Sequence, residues 1–122
     1  NNNNNNNNNN YDKTKLFVCG GSTKKKKNIK TCEIYDVKKN YWNQISSLNV
    51  ARTKCVLTEW ISMDKIACIG GYGGNNSNLN KIVEYYDTNK NKWYQIESLN
   101  YEHINCASGL LTFESLSVIK RQ

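Results

Sequence analysis

Five cysteines and one histidine are the residues of this 122-residue chain best equipped for chemistry. Cys19, Cys32, Cys55, Cys68 and Cys106 stand 13, 23, 13 and 38 residues apart. A zinc site needs four close nitrogen or sulfur ligands at short paired spacings. The chain has no Cys-x-x-Cys pair, and His103 is its single imidazole, so no metal site is expected. Each cysteine lies in or beside an apolar or β-branched run, as in Phe17-Val18-Cys19 and Ile66-Ala67-Cys68-Ile69. That pattern suits small buried thiols in a reducing compartment, the cytosol or nucleus.

Catalytic constellations are equally absent from the pattern. Copper chemistry needs several His or Tyr ligands converging on one point, and a lone His103 does not supply them. Gly-x-Ser-x-Gly, His-Glu-x-x-His and the phosphate-binding loop do not occur. The carboxylate pairs Glu33/Asp36 and Glu84/Asp87 are the same Glu-x-x-Asp written twice, which points to a repeated structural unit. No catalytic residue and no cofactor is therefore assigned, and the segment is not expected to be an enzyme.

Charge points outward to a partner. Lys and Arg total 17 against 10 acidic residues, a formal net charge of +7. Fifteen of the 17 are Lys, scattered except for Lys24, Lys25, Lys26 and Lys27, and the two Arg are Arg52 and Arg121. A nucleic-acid binder spends Arg on phosphates and base edges, so nucleic acid is not the expected partner. No stretch approaches the ~20 apolar residues of a membrane helix, and no membrane role is expected. Asn is abundant, 22 residues in all, and the first ten are an unbroken run. The Asn-rich segment 1–14 reads as low-complexity, disordered sequence. The chain does not begin with Met, which favours a piece of a longer protein over a complete one.

The elements that must hold these residues repeat. With an offset of 51, Glu33, Tyr35, Asp36 and Trp42 fall on Glu84, Tyr86, Asp87 and Trp93, and 12 of the 23 positions 33–55 are identical. With an offset of 50, Gly20-Gly21 fall on Gly70-Gly71. Inside each copy the signal is β. Residues 16–19 and 66–69 are short apolar runs stopped by Gly-Gly, as in buried strands ended by a turn. Residues 31–35 and 82–86 are β-prone and end in Asp. Polar turn sequence follows at 36–40 and 87–91, then a third strand at 41–45 and 93–96. A fourth strand is expected at 54–60, with a tight turn at 62–65. Four short antiparallel strands in ~50 residues make one propeller blade.

This arrangement resembles the kelch repeat. The apolar strand ending in Gly-Gly, the variable loop, Tyr-Asp and then Trp read here as Gly20, Gly21, Tyr35, Asp36 and Trp42, and again as Gly70, Gly71, Tyr86, Asp87 and Trp93. The resemblance implies an all-β, kelch-type β-propeller, with one complete blade of four antiparallel strands and two partial ones. The expected layout is a partial blade at 15–53, a complete blade at 54–103 and a truncated third blade at 104–122. The glycines, tyrosines and tryptophans are expected to be structural. Where the family commonly has Pro-Arg, the copies carry Ala51-Arg52 and Glu102-His103. Repeat arrays need neighbours to bury their faces. Further blades of a parent chain, or self-association, are therefore expected partners.

Four loops are expected on one propeller face: residues 22–30, 46–53, 72–80 and 97–105. In the kelch family that face holds a protein partner. Lys24, Lys25, Lys26 and Lys27 would attract an acidic segment, with Arg52, Tyr72, Asn75, Asn76 and His103 adding stacking and hydrogen bonds. The resemblance implies a binding scaffold, for example a substrate-recruiting part of a ubiquitin ligase. Its alternatives are an actin-associated protein, or a non-catalytic propeller attached to a catalytic domain elsewhere in a parent chain.

Overall fold

The computed structural model describes residues 15–60 and 62–109. The expected Asn-rich segment 1–14, and residues 110–122 of the third blade expected at 104–122, lie outside these described residues. Among the described residues seven strands form two antiparallel sheets. The first blade is β1 (Lys15–Cys19), β2 (Cys32–Asp36) and β3 (Tyr41–Ile45), ordered β1-β2-β3. The second is β4 (Val56–Trp60), β5 (Ser62–Ile69), β6 (Val83–Asp87) and β7 (Lys92–Gln95), ordered β4-β5-β6-β7. Among the described residues there is one four-stranded blade and one three-stranded blade. No helix of the described residues is long and apolar enough to cross a membrane.

One expectation is corrected. Residues 62–65 are not a turn. β5 begins at Ser62, which pairs with Trp60 across a register shift at Glu59/Trp60, and Lys65 pairs with Asp87 on β6. Pairing to β4 at Ser62 and to β6 at Lys65 holds this stretch in the strand against the turn preference of Ser-Met-Asp-Lys.

The repeated residues do repeated work. Tyr35 donates its hydroxyl to Asn40 Oδ1, and Tyr86 donates to Asn91 Oδ1 at 2.6 Å. Asn40 and Asn91 have φ of 50° and 49°, the left-handed region that Asn tolerates. Asp36 and Asp87 close the same turns by accepting backbone N–H groups of Lys39 and of Asn89 and Lys90. Each tyrosine also packs on its tryptophan, Tyr35 on Trp42 at 5.2 Å and Tyr86 on Trp93 at 5.3 Å between centroids. Gly20 and Gly70 have φ of 67° and 62°, and a Cβ on either would lie 2.5 Å from the carbonyl oxygen of Arg52 or His103. Only glycine combines that φ with that approach.

The core lies in the seam between the blades. Cys19, Cys32, Leu48, Cys68, Tyr86 and Trp93 form one buried cluster, with Phe17, Ile34, Ile45, Cys55 and Leu57 against it. Phe17 of the first blade meets Tyr86 and Trp93 of the second at 5.6 and 6.0 Å. Equivalent side chains therefore differ in exposure. Trp93 is 4% exposed beneath blade one, whereas Trp42 is 41% exposed on the outward side of that blade.

Candidate functional site

The antiparallel order puts the ends of β1, β3, β5 and β7 and the starts of β2, β4 and β6 at the same edge. The loops there are tied to one another through backbone groups. Arg52 donates its N–H to Ile29 O, and Gly21 donates to Arg52 O. Thr53 and Tyr72 exchange N–H and C=O hydrogen bonds at 3.0 and 2.7 Å. Gly71 donates to His103 O at 2.8 Å, and Leu48 and Leu99 donate to Lys30 O and Lys81 O. Loops 22–30, 46–53, 72–80 and 97–105 thus form one continuous face.

The candidate residues divide on this face. Lys24, Lys25, Lys26 and Lys27 are exposed. They lie on a turn closed by Thr23, whose N–H donates to Lys26 O and whose Oγ1 accepts from Lys26 N. Asn75 and Asn76 are exposed, and Tyr72 is half-buried with its hydroxyl donating to Asn75 Oδ1 at 2.9 Å. The side chain of His103 is exposed. Sequence reasoning missed Asn80, which is buried. Asn80 Oδ1 accepts from Gly73 N, while its amide donates to Gly74 O and to Glu102 Oε1 at 2.9 Å. It joins the second Gly-rich loop to the link leaving blade two. Its one signal, an Asn in a loop, was hidden by the Asn-rich composition.

Arg52 does not reach the face on which the sequence puts it. Its side chain is fully buried and crosses the seam into blade two. Nη1 donates to Gly70 O at 3.1 Å and to Ile82 O at 2.7 Å, and Nη2 donates to Glu84 Oε2 at 2.5 Å. Glu84, also fully buried, takes a further hydrogen bond from Asn49 N at 2.8 Å. Burying a guanidinium is tolerable only with such partners. Ser46 and Trp93 add to the seam: Trp93 Nε1 donates to Ser46 O, and Ser46 donates from N and Oγ to Asn91. The His103 carbonyl repeats the backbone role of Arg52 by accepting from Gly71 N.

All five cysteines are free thiols, and Cys19, Cys32 and Cys68 are buried, as their apolar runs lead one to expect. Four of the five thiols gather in the seam. Cys19 and Cys32 face each other across β1 and β2, and Cys55 and Cys68 approach from blade two. The Sγ atoms of Cys19, Cys55 and Cys68 all lie within 4.8 Å of one another. Spacing along the chain gave no warning, because the ligand atoms come from two blades. Hydrogen bonds from Cys19 and then Cys68 draw the Cys55 thiol below its ordinary value, helped by the Arg52 charge. Cys19 is pushed up, chiefly by its hydrogen bonds to Cys32, Cys55 and Cys68, and then by burial.

Comparison with known proteins fixes the family. The Kelch motif matches residues 10–49 and 64–100, more than half of the chain. The chain belongs to the kelch family. F-box/kelch-repeat protein SKIP20 of Arabidopsis thaliana is 28% identical over 87 residues, covering 70% of this chain and 21% of that protein. A Kelch repeat and BTB domain-containing protein of Caenorhabditis elegans is 28% identical over 89 residues, 72% of this chain and 14% of that protein. Kelch-like protein 13 of the mouse is 31% identical over 72 residues, 59% of this chain and 11% of that protein. This chain spans between 11% and 21% of the length of these relatives. The kelch signature residues are accounted for by the turns, ring pairs and backbone crossings of the two blades.

Proposed function

We propose that these blades are part of a protein-interaction propeller that holds an acidic segment of a partner protein against the loop face, in the manner of a substrate adaptor. The observation that carries this reading is the exposed turn bearing Lys24, Lys25, Lys26 and Lys27, fixed to a continuous hydrogen-bonded loop surface. Tyr72, Asn75, Asn76 and His103 stand on the same surface as further contacts. The relatives support an adaptor: their names couple kelch repeats to an F-box or a BTB domain. Arg52 is outside this binding set, because its guanidinium is spent on Glu84 and two carbonyls.

The test is a four-fold substitution of Lys24, Lys25, Lys26 and Lys27 by Ser. Binding of a labelled oligo-glutamate peptide is followed at low and at ~0.3 M salt. Each exposed charge pair contributes about 0.2–1 kcal/mol, so losing four should weaken binding roughly 4- to 1,000-fold and remove most of its salt dependence. Equal binding by both proteins, with equal salt slopes, overturns the proposal.

A further inference from the structure

Three of the four seam thiols are not explained by the repeat, whereas Cys55 recurs as Cys106. Cys19 and Cys32 oppose each other on β1 and β2, and the equivalent opposed pair on β5 and β6 is Ile69 and Val83. The offset that equates Gly20 with Gly70 also equates Cys68 with Val18. Blade architecture therefore accepts branched aliphatic residues at these positions. Yet at this one seam the chain places four sulfurs, three of them mutually within 4.8 Å.

We propose that Cys19, Cys55 and Cys68 bind one thiophilic d10 ion, Zn(II) or Cu(I), as thiolates, clamping blade one to blade two. With metal–sulfur bonds of about 2.3 Å, thiolates around one ion stand about 3.8–4.0 Å apart. The observed triangle closes to that size with sub-ångström shifts. Its donors are all sulfur, without imidazole or carboxylate, which selects soft ions over Mg(II), Ca(II) or Mn(II). Cys19 and Cys68 are buried, while Cys55 is partly exposed and offers the way in. Cys32 pairs with Cys19 across β1 and β2 and donates its own S–H to Lys30 O at 3.5 Å. It stands beside the triangle as a fourth sulfur that Zn(II), but not three-coordinate Cu(I), would use. Three thiolates leave one excess negative charge around Zn(II), and Cys32 as a fourth leaves two. Binding releases the thiol protons to solvent and consumes no oxidant.

The experiment uses the chain purified under anaerobic, reducing conditions and titrated separately with Zn(II) and with Cu(I) against chromophoric chelators. One equivalent should bind with release of protons, and X-ray absorption should show sulfur neighbours at about 2.3 Å. Four sulfurs identify Zn(II) held with Cys32, and three identify Cu(I). Cys55→Ser should weaken binding by more than the roughly 10- to 100-fold typical of a lost outer-shell contact. Cys68→Val, which installs the residue blade one carries at that position, should do the same while keeping the fold. Cys106→Ser should bind as the parent does. Substoichiometric uptake, nitrogen or oxygen neighbours alone, a disulfide in place of the free thiols, or unchanged binding by Cys68→Val would each overturn the proposal.

Discussion

Replacing Arg52 separates a structural cation from a partner-binding one. In the structure Arg52 reaches across the seam to Gly70 O, Ile82 O and Glu84 Oε2 with no exposed side-chain surface. Arg52→Met keeps the stem and deletes the charge, leaving the Glu84 carboxylate buried with Asn49 N as its remaining partner. Breaking one side of such a pair costs about 3–5 kcal/mol. Glu84→Leu strands the guanidinium and should cost a similar amount. The double variant leaves no buried charge, so its cost falls to that of the unpaired Asn49 amide and the two carbonyls, about 1–3 kcal/mol. The coupling between the sites is therefore several kcal/mol, opposite in sign to simple addition. Urea unfolding followed by Trp fluorescence reads it directly, since Trp93 lies in the same seam. Arg52→Lys tests the fork: one ammonium cannot reproduce three hydrogen bonds to two strands, and a loss of about 1–3 kcal/mol is expected. Additive single and double variants, or an Arg52→Met midpoint equal to that of the parent, would refute the argument. An unchanged midpoint with lost peptide binding would return Arg52 to the partner face.

Two further predictions concern the repeated motif. Gly70→Ala places a Cβ 2.5 Å from His103 O at a φ of +62° and should destabilise by at least about 1–3 kcal/mol. Gly109→Ala, which meets no atom within 4 Å, should be near neutral in the same unfolding assay. Burial, with the neighbouring Cys32 and Asp87, pushes the Tyr86 hydroxyl above its ordinary value of about 10. The folded state then holds that proton more firmly than the unfolded state. Its contribution is complete below about pH 10 and is lost as pH rises beyond it. Tyr86→Phe should cost about 1 kcal/mol at neutral pH through the hydrogen bond to Asn91, and should flatten the alkaline fall in stability. A parallel fall in both proteins would contradict this.

What the sequence disclosed was whatever a single blade decides for itself. Tyr-Asp and the Asn four residues on build a turn from local hydrogen bonds, so the motif at 35–40 announces the one at 86–91. Gly-Gly marks a backbone crossing, and the crossing is found in both copies. The blade-to-blade relations were not legible, because they pair residues with no fixed spacing and no shared motif. Trp42 and Trp93 are the same residue in the same register, yet one is exposed and the other buried, according to whether a blade lies on it. Arg52 and His103 share a backbone duty, so their alignment hid that the side chain of Arg52 turns inward.

The thiols illustrate the same limit, and also how far it can be pushed. The two intervals of 13, from Cys19 to Cys32 and from Cys55 to Cys68, each span the two arms of one hairpin. In the first the cysteines pair directly. In the second Cys68 pairs with Leu57, two residues beyond Cys55. Each interval thus brings sulfur to the Gly-Gly end of its own blade, and stacking of the blades brings the two ends together. A spacing rule written for ligands on one loop reads these intervals as noise. Joined to the strand assignments, they already point to one edge of one seam, where four sulfurs meet beneath Arg52 and Glu84. A seam whose charge pair and thiols both bridge two blades depends on the neighbouring blade for its stability and, on the proposal above, for its metal. The Arg52→Met and Cys68→Val variants therefore probe one junction from two sides. Loss of the charge pair should loosen the thiol triangle and weaken metal uptake, whereas Cys68→Val should leave the Arg52–Glu84 coupling unchanged.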